Sequence, residues 1–186
     1  MTNDHIFDAF PELESKRLSY RAYRLQDASA LYDIRGHKSV AKYMDSEIPK
    51  SDQDTKQRIQ KMQSDFQNKK GITWAIIDKD SGKLIGDFGI WRIDKANARG
   101  EIGYVLHPDY WGKGYMSEAI HTIISFGFNH MKLHSFEANV NPMNSNSKAM
   151  LLKFGFRLEA HFRENYYYNG QFLDSEIYCL IKSDFH

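Results

Sequence analysis

The sequence has little cysteine and no long apolar run. Its 186 residues include one cysteine, Cys179, within the apolar segment 177–181, and a single cysteine cannot form a disulfide inside the chain. No apolar run approaches the roughly 20 residues that cross a bilayer, and residues 1–8 lack the basic and apolar regions of a secretory signal. We therefore expect a cytoplasmic protein that makes no membrane contact, with Cys179 in its core.

An excess of either charge is also missing. The chain carries 25 Lys and Arg against 24 Asp and Glu, so no overall positive field would attract nucleic acid or an anionic membrane. The polar segment 50–70 mixes both signs and spaces Ile59, Met62 and Phe66 along one face of a helix, which indicates a solvated amphipathic helix. Nucleic acid is therefore not expected as a partner.

Metal-ligand patterns are lacking as well. The eight histidines are scattered along the chain, and none combines zinc-ligand spacing with a neighbouring glutamate or a cysteine pair. The sequence therefore predicts no metal site.

The apolar residues that are present alternate between strand-like and helix-like segments, as in mixed α/β domains. With 41% apolar residues at this length, the chain supports one core. We therefore predict a single domain over residues 1–186, with its core at about 17–183.

Asp80-Ser81-Gly82 and Asn169-Gly170 are turn signals that join strands into hairpins. We expect a mostly antiparallel sheet of about seven strands flanked by helices. The predicted strands are 17–24, 72–78, 84–93, 101–107, 135–140, 156–162 and 172–181, and the predicted helices are 27–35, 40–44, 52–67, 144–154 and one that follows Gly114.

Two glycines, Gly112 and Gly114, stand between a strand pattern and a helix pattern. A helix N-terminus presents unpaired N–H groups and partial positive charge, so glycines there let a phosphate approach the main chain. The alternative is that the two glycines only shape a tight turn. Two familiar phosphate motifs fail on spacing, because Lys113 is followed by Gly114 and because Ser117 stands where a third glycine is required. The pattern favours a phosphorylated cofactor and disfavours ordinary nucleotide folds.

The segment 110–115, Tyr-Trp-Gly-Lys-Gly-Tyr, resembles the cofactor loop of the GNAT superfamily of N-acetyltransferases, whose pattern is Gln/Arg-x-x-Gly-x-Gly/Ala. Gly114 matches a glycine of that pattern. The segment is most similar to the branch that acetylates the N-termini of ribosomal proteins, here called the Rim-type branch. Further blocks resemble that branch in the same order along nearly the whole chain. They are 13–18 with Arg21 and Asp27, 40–44, Asn144 with Ser147, 154–156, Gly170 and Asp174.

The sequence departs from the superfamily pattern at three positions. Trp111 stands where the superfamily has Gln or Arg, and Met116 stands where it has Gly or Ala; the Rim-type branch often carries both changes. Phosphate binding through main-chain N–H groups tolerates such side-chain changes. The tyrosine that many members use as general acid falls at Leu151, which leaves that role open here.

The resemblance implies an α/β (α+β) GNAT-like fold, in which the fourth and fifth predicted strands splay apart and acetyl-CoA enters between them. It places the coenzyme at the N-terminus of the helix that follows Gly114, and it makes Asn144 the residue that holds the pantetheine amides. The residues implied in cofactor binding are Val105, Leu106, Trp111, Gly112, Lys113, Gly114, Tyr115, Met116, Asn144 and Ser147.

The predicted reaction needs a base, because an amine must lose a proton before it attacks a thioester. An α-amino group has a pKa of about 8 and a lysine one near 10.4. Glu101 begins the fourth predicted strand, and period-two alternation places it on one face with Gly103 and Val105. GNAT enzymes often use a glutamate on this strand, so the resemblance implies that Glu101 is the base. The alternative is a cross-strand ion pair with Arg92 or Arg99.

Other groups are predicted to act on the acyl carbonyl and on the leaving thiolate. The Val105 N–H is our candidate to stabilise negative charge on the acyl oxygen. Ser147 matches the serine that the Rim-type branch places near the cofactor sulfur, although Ser147 and Asn144 are also suited to cap a helix. The residues expected to line the acceptor pocket are Trp91, Glu101, Tyr167 and Asp174.

The predicted function is acetyl-CoA-dependent transfer of an acetyl group to a primary amine in a ternary complex. The favoured acceptor is a protein N-terminal α-amine. A small amine, such as a polyamine, an amino sugar or an antibiotic, is the alternative within enzymes, and a non-catalytic acetyl-CoA-binding module is the alternative outside them. The sequence leaves open whether the protein is a monomer or a homodimer.

Overall fold

A computed structural model describes residues 2–44 and 47–185, and its described part forms one eight-stranded sheet with helices on both faces. The strand order across the sheet is β1-β2-β3-β4-β5-β6-β8-β7. The strands are β1 (Leu13–Glu14), β2 (Leu18–Ala22), β3 (Gly71–Asp78), β4 (Leu84–Asp94), β5 (Arg99–Leu106), β6 (Ser135–Val140), β7 (Arg157–Tyr168) and β8 (Gln171–Ile181). The α-helices are α1 (Ala28–Gly36), α2 (Lys38–Ala41), α3 (Asp52–Gln67), α4 (Tyr115–Asn129) and α5 (Ser145–Lys153), with 3-10 turns at Asp4–Phe7, Leu25–Asp27, Pro108–Tyr110 and Lys182–Asp184.

The sheet is antiparallel except where β5 meets β6. These two strands pair in parallel only from Arg99 opposite Ser135 to Glu101 opposite Glu137. Beyond that point β5 continues to Leu106 and β6 to Val140 without pairing to each other. The predicted splay between the fourth and fifth strands, here β5 and β6, is therefore confirmed.

The two faces of the sheet carry separate apolar clusters. On one face the α4 residues Ile120 and Ile123 pack with Trp74 and Phe88, and all four are fully buried. On the other face, α1 and α3 cover Ala75 and Ile77. Each large apolar side chain buried in this way contributes roughly 1.5 to 3 kcal/mol of transfer free energy, so both helix layers are held firmly against the sheet.

Local signals predicted most elements closely. The α3 helix spans Asp52–Gln67 as expected, and Ser51 caps it by accepting a hydrogen bond from the Asp54 N–H. Asn169 and Gly170 have φ of 48° and 87°, the left-handed values of the expected hairpin turn. The strand β1 was not predicted, because it is only two residues long, too short for a period-two pattern to reveal.

Candidate active site

The glycine loop leads directly into α4. Gly112 and Gly114 have φ of 70° and 79°, a left-handed conformation that side chains other than glycine rarely adopt. Gly114 is the N-cap of α4, so the first N–H groups of the helix, from Tyr115 onward, have no acceptor inside it. A Cβ built on Gly112 would meet no atom within 4 Å. The loop therefore offers open space beside unpaired main-chain donors, which fits a phosphate group.

The residues around the glycines fix the loop to the end of β5. Trp111 is 40% exposed, and its Nε1 donates to the Leu106 carbonyl at 2.7 Å. Leu106 and Met116 are buried. Lys113 is exposed. The cofactor residues predicted between 105 and 116 thus lie together at one end of the cleft.

On the α4 side of the sheet, two hydroxyls meet across the open part of the cleft. Tyr104, from β5, stacks on Phe88 with ring centroids 5.5 Å apart, and its hydroxyl lies 2.9 Å from Ser147 Oγ on α5. Burial raises the pKa of Tyr104 to about 12. Asn144 Oδ1 accepts a hydrogen bond from the Ser147 N–H at 3.2 Å, so Asn144 does cap α5.

On the opposite face of the sheet, Glu101 lies beside a tryptophan, at the point where β5 and β6 stop pairing. Trp91 lies opposite Glu101 in the β4–β5 register, and Gly89 lies opposite Gly103. A Cβ built on either glycine would collide with the Trp91 ring. The indole therefore lies flat over the glycine pair, next to the Glu101 carboxylate.

Glu101 is held by one of the two arginines considered from the sequence. Arg92 Nη1 lies 2.7 Å from Glu101 Oε2, and the side chains are 75% and 13% exposed respectively. Arg92 has φ of 47°, at a β4 irregularity where pairing shifts between Trp91 and Asp94. Arg99 instead pairs with Glu137 at 2.9 Å. The ion-pair alternative is therefore observed, through Arg92.

Comparison with known proteins assigns this arrangement to a family. A model of the acetyltransferase (GNAT) domain matches residues 17–157. The chain belongs to the GNAT acetyltransferase family. It is 35% identical over 173 residues to the uncharacterized N-acetyltransferase YoaA of Bacillus subtilis (strain 168), covering 93% of this chain and 98% of that relative. The predicted family and its enzyme class are confirmed.

Solved structures share the same GNAT fold. A GNAT-family acetyltransferase from Bacillus anthracis superposes with a TM-score of 0.82 at 25% identity, covering 93% of this chain and 99% of that one. RimL, a ribosomal L7/L12 alpha-N-protein acetyltransferase in complex with coenzyme A, gives a TM-score of 0.83 at 21% identity, covering 92% and 98%. The predicted fold class is confirmed.

One main-chain role predicted for this GNAT cleft is wrong. The His107 N–H donates to the Ile85 carbonyl of β4 at 2.7 Å, and in antiparallel pairs alternate residues direct their N–H groups to the same neighbour. Val105 lies two residues earlier in the same register, so its N–H also faces β4 rather than the cleft. The N–H groups of Tyr104 and Leu106 are the ones that face the open side of β5.

Two predicted acceptor residues lie away from Glu101. Tyr167 is 64% exposed and packs on Phe172 at the tip of the β7–β8 hairpin, with ring centroids 5.1 Å apart. Asp174 lies on the sheet face opposite Glu101, and its Oδ2 forms a hydrogen bond with His161 Nε2 at 2.8 Å. Counted along β8 from the level of Glu101, the hairpin tip is about 23 Å away. The structure therefore brings Trp91, but neither Tyr167 nor Asp174, to the Glu101 carboxylate.

Sequence reasoning missed two residues of the cleft. Glu137 is the parallel partner of Glu101, so the two carboxylates are neighbours on one face. Tyr104, whose hydroxyl meets Ser147 Oγ, had no predicted role. The β5–β6 register would have revealed Glu137, but this parallel pairing joins residues 36 positions apart and leaves no local signal.

The remaining features concern metals and membranes. Among residues 2–44 and 47–185, no group of three or more His, Cys, Asp or Glu side chains is placed to hold a metal ion. Within the same residues, no helix is both long and apolar enough to span a membrane.

Cys179 is buried as predicted, and its Sγ accepts a hydrogen bond from Arg99 Nη2 at 2.8 Å.

Proposed function

We propose that this GNAT enzyme uses acetyl-CoA to acetylate a primary amine, and that the favoured acceptor is a protein N-terminal α-amine. One observation carries the proposal: β5 and β6 separate immediately after the Glu101–Glu137 pair. A carboxylate thus stands at the closed end of a cleft whose other end is a phosphate-binding glycine loop.

The chain's own residues divide the cofactor and acceptor sites between the two sheet faces. The α4 N-terminus with Gly112 and Gly114 would hold the phosphates, and the unpaired edge of β5 would hold the pantetheine arm through main-chain groups. When bound, acetyl-CoA supplies a thioester carbonyl that an amine attacks. Glu101 and Trp91, on the α1 and α3 face, would receive that amine.

Glu101 is our candidate base. Its carboxylate would accept the proton that the amine nitrogen gives up, directly or through one water. The Arg92 guanidinium lies beside Glu101 Oε2, at the place where we expect the ammonium group of the acceptor to bind. Because Arg92 is largely exposed, an incoming ammonium group can replace it at small cost.

Two further groups are suited to hydrogen-bond the thioester of acetyl-CoA, one at its carbonyl oxygen and one at its sulfur. The Tyr104 N–H, which faces the open side of the strand, replaces Val105 as the candidate donor to the acyl oxygen. Ser147 Oγ is the candidate hydrogen-bond donor to the departing sulfur. If the Tyr104 hydroxyl donates to Ser147 Oγ, the serine proton is left free to point at the sulfur.

The preference for an α-amine follows from proton chemistry. An α-amine has a pKa roughly two to three units below that of lysine, so one carboxylate base deprotonates it more readily. The edge strand β7 also offers an extended border along which an N-terminal segment can lie. RimL, whose fold matches, carries an alpha-N-protein acetyltransferase name, which supports the same class of acceptor.

An acceptor screen tests the proposal. Release of the free coenzyme thiol from acetyl-CoA is measured with peptides beginning in Ala or Ser, with the same peptides blocked at the N-terminus but containing lysine, and with spermidine and an aminoglycoside. We expect the highest kcat/KM for the free N-terminal peptides. Preference for spermidine, the aminoglycoside or the blocked peptides would reject the α-amine acceptor, and tight coenzyme binding without turnover would indicate a binding module.

A further inference from the structure

Arg17, which immediately precedes β2, contacts the glycine loop from the outside. Its Nη1 donates to the Lys113 carbonyl at 2.9 Å, and its Nε donates to Glu118 Oε2 at 2.7 Å. The Arg17 backbone N–H donates to the other oxygen of the same carboxylate at 2.6 Å. The guanidinium also lies over the Tyr115 ring, 4.1 Å from its centroid. One side chain therefore fixes the chain on both sides of Gly114.

The third nitrogen of this guanidinium faces the loop. A Cβ built on Gly114 would lie 3.5 Å from Arg17 Nη2. Nη2 has no hydrogen-bond partner within the described ranges 2–44 and 47–185. The side chain is 34% exposed, so an anion that reaches Gly114 from solvent can also reach Nη2.

Glu118 places a negative charge near the α4 N-terminus, where an anion would bind. Its carboxylate lies in the first turn of α4, where it would repel a phosphate that approaches the same helix end. The pairing with Arg17 offsets that charge, and Ser15 Oγ donates a further hydrogen bond to Glu118 Oε1 at 2.7 Å. The unpaired N–H groups of Nη2 lie on the side of Gly114.

We propose that Arg17 is a positioning residue for coenzyme phosphate binding: it anchors the loop through the Lys113 carbonyl and compensates Glu118, so that the α4 N-terminus accepts an anion. This inference rests on the proposed function, because it assumes that the phosphates of coenzyme A bind at this loop. The anchoring group comes from the residue just before β2, 96 residues before Lys113.

The principal test compares Arg17→Met with Arg21→Met by calorimetric titration with coenzyme A. Arg21 lies nearby in β2 and makes a similar two-bond pair, to Asp27 at 2.7 and 2.9 Å, away from the loop. We expect coenzyme A to bind Arg17→Met roughly ten- to hundredfold more weakly than wild type, with Arg21→Met unchanged. The affinity for pantetheine, which lacks phosphates, should be the same in all three proteins.

Three further readouts separate positioning from folding. Circular dichroism and thermal melts check that Arg17→Met is folded. Its Kd for coenzyme A should depend less on salt than that of wild type, because one interacting charge is gone. Arg17→Lys should restore little, since an ammonium group cannot bridge a carboxylate and a carbonyl as a planar guanidinium does.

Glu118→Gln provides a second variant that keeps the guanidinium. Removal of the carboxylate charge should leave coenzyme A affinity equal to or higher than that of wild type. If Glu118 and Arg17 acted only as a structural pair, both variants would weaken binding, and that result would overturn the proposal. Because Glu118→Gln retains Arg17, the proposal can be tested even if Arg17→Met does not fold.

The outcomes distinguish this inference from the proposed function. If wild type binds coenzyme A and Arg17→Met binds it within about twofold of Arg21→Met, Arg17 has no positioning role and the proposed function stands. If wild type does not bind coenzyme A at all, the proposed function is wrong and this inference falls with it.

Discussion

The hydroxyls of Tyr104 and Ser147 lie 2.9 Å apart and join β5 to α5 across the cleft. Because burial raises the pKa of Tyr104 to about 12, this residue keeps its proton at neutral pH. A protonated phenol that donates to Ser147 Oγ orients the serine hydroxyl and leaves the serine proton available to the leaving group.

Tyr104→Phe should therefore lower kcat by about tenfold, the effect of losing one hydrogen bond in a buried site. The KM for acetyl-CoA should change little, and the deficit should be constant between about pH 7 and pH 10, because Tyr104 does not titrate there. Tyr178→Phe is the matched control: Tyr178 is also buried, and its hydroxyl donates to Glu176 Oε2 at 2.9 Å. Equal losses in both variants would reject the role of Tyr104.

Replacing Glu101 tests the base. Glu101→Gln keeps the size of the side chain but cannot accept a proton, so we expect the rate at neutral pH to fall on the order of a hundredfold to ten-thousandfold. The deficit should shrink as the pH rises above the acceptor's pKa, because the amine is then already neutral. Steady-state rates from about pH 6.5 to pH 9.5 measure both effects.

Glu137→Gln is the control for Glu101, since it removes a neighbouring carboxylate on the same face. We expect a loss of less than about tenfold. If Glu137→Gln instead shows the large, pH-dependent deficit and Glu101→Gln stays within about threefold of wild type, the base is Glu137.

Gly114→Val tests the glycine loop. A valine would have to adopt φ of 79° at the N-cap of α4, which strains the backbone by roughly 1 to 3 kcal/mol, and would place methyl groups where a phosphate must approach. We expect a large loss of coenzyme A affinity in calorimetry. Gly82→Val is the control, because Gly82 has φ of 68° in the β3–β4 turn, outside the loop. Equal coenzyme A affinity in the two variants would place the phosphates elsewhere.

The Arg21–Asp27 pair predicts an acid-sensitive part of the fold. Burial alone would raise the pKa of Asp27, but hydrogen bonds from Arg21 and from the Arg24 N–H outweigh it, so the pKa lies below its ordinary value. A lowered pKa stabilises the fold above the unfolded value of about 3.9 and loses that contribution as the pH falls through the folded pKa. Asp27→Asn should thus lose stability at pH 7 and show a smaller further loss below pH 4.

Urea denaturation at both pH values measures this difference. We expect a loss of about 1 to 3 kcal/mol for Asp27→Asn at pH 7. Asp65→Asn is the control, because its partner Lys61 is 74% exposed and the pair should contribute less than about 1 kcal/mol. A loss in Asp27→Asn that is no larger than in Asp65→Asn would contradict the prediction.

Prediction from the sequence succeeded where a feature depends on nearby residues. The limits of α3 follow from its Ser51 cap and its apolar spacing, and the hairpin at Asn169-Gly170 follows from two residues that accept positive φ. The glycine loop before α4 is similarly local. Each of these features uses hydrogen bonds or dihedral preferences within a few residues, so neighbouring sequence is sufficient to specify it.

The tertiary structure decided how separate segments meet. Alternation placed Glu101 and Val105 on one face, but only the β4–β5 register showed that the Val105 N–H points away from the cleft. Likewise, only the β5–β6 register brought Glu137 beside Glu101. A shift of one residue in either register would reverse these directions, and no local pattern fixes that choice.

The sequence by itself determined the family, the glycine loop before α4 and the strand that carries Glu101. The tertiary structure decided which arginine holds Glu101, which hydroxyl reaches Ser147, and that Arg17 fixes a loop 96 residues away through the Lys113 carbonyl. The physical reason is that such contacts come from the packing of helices on the sheet and from strand register, both of which depend on the whole chain at once.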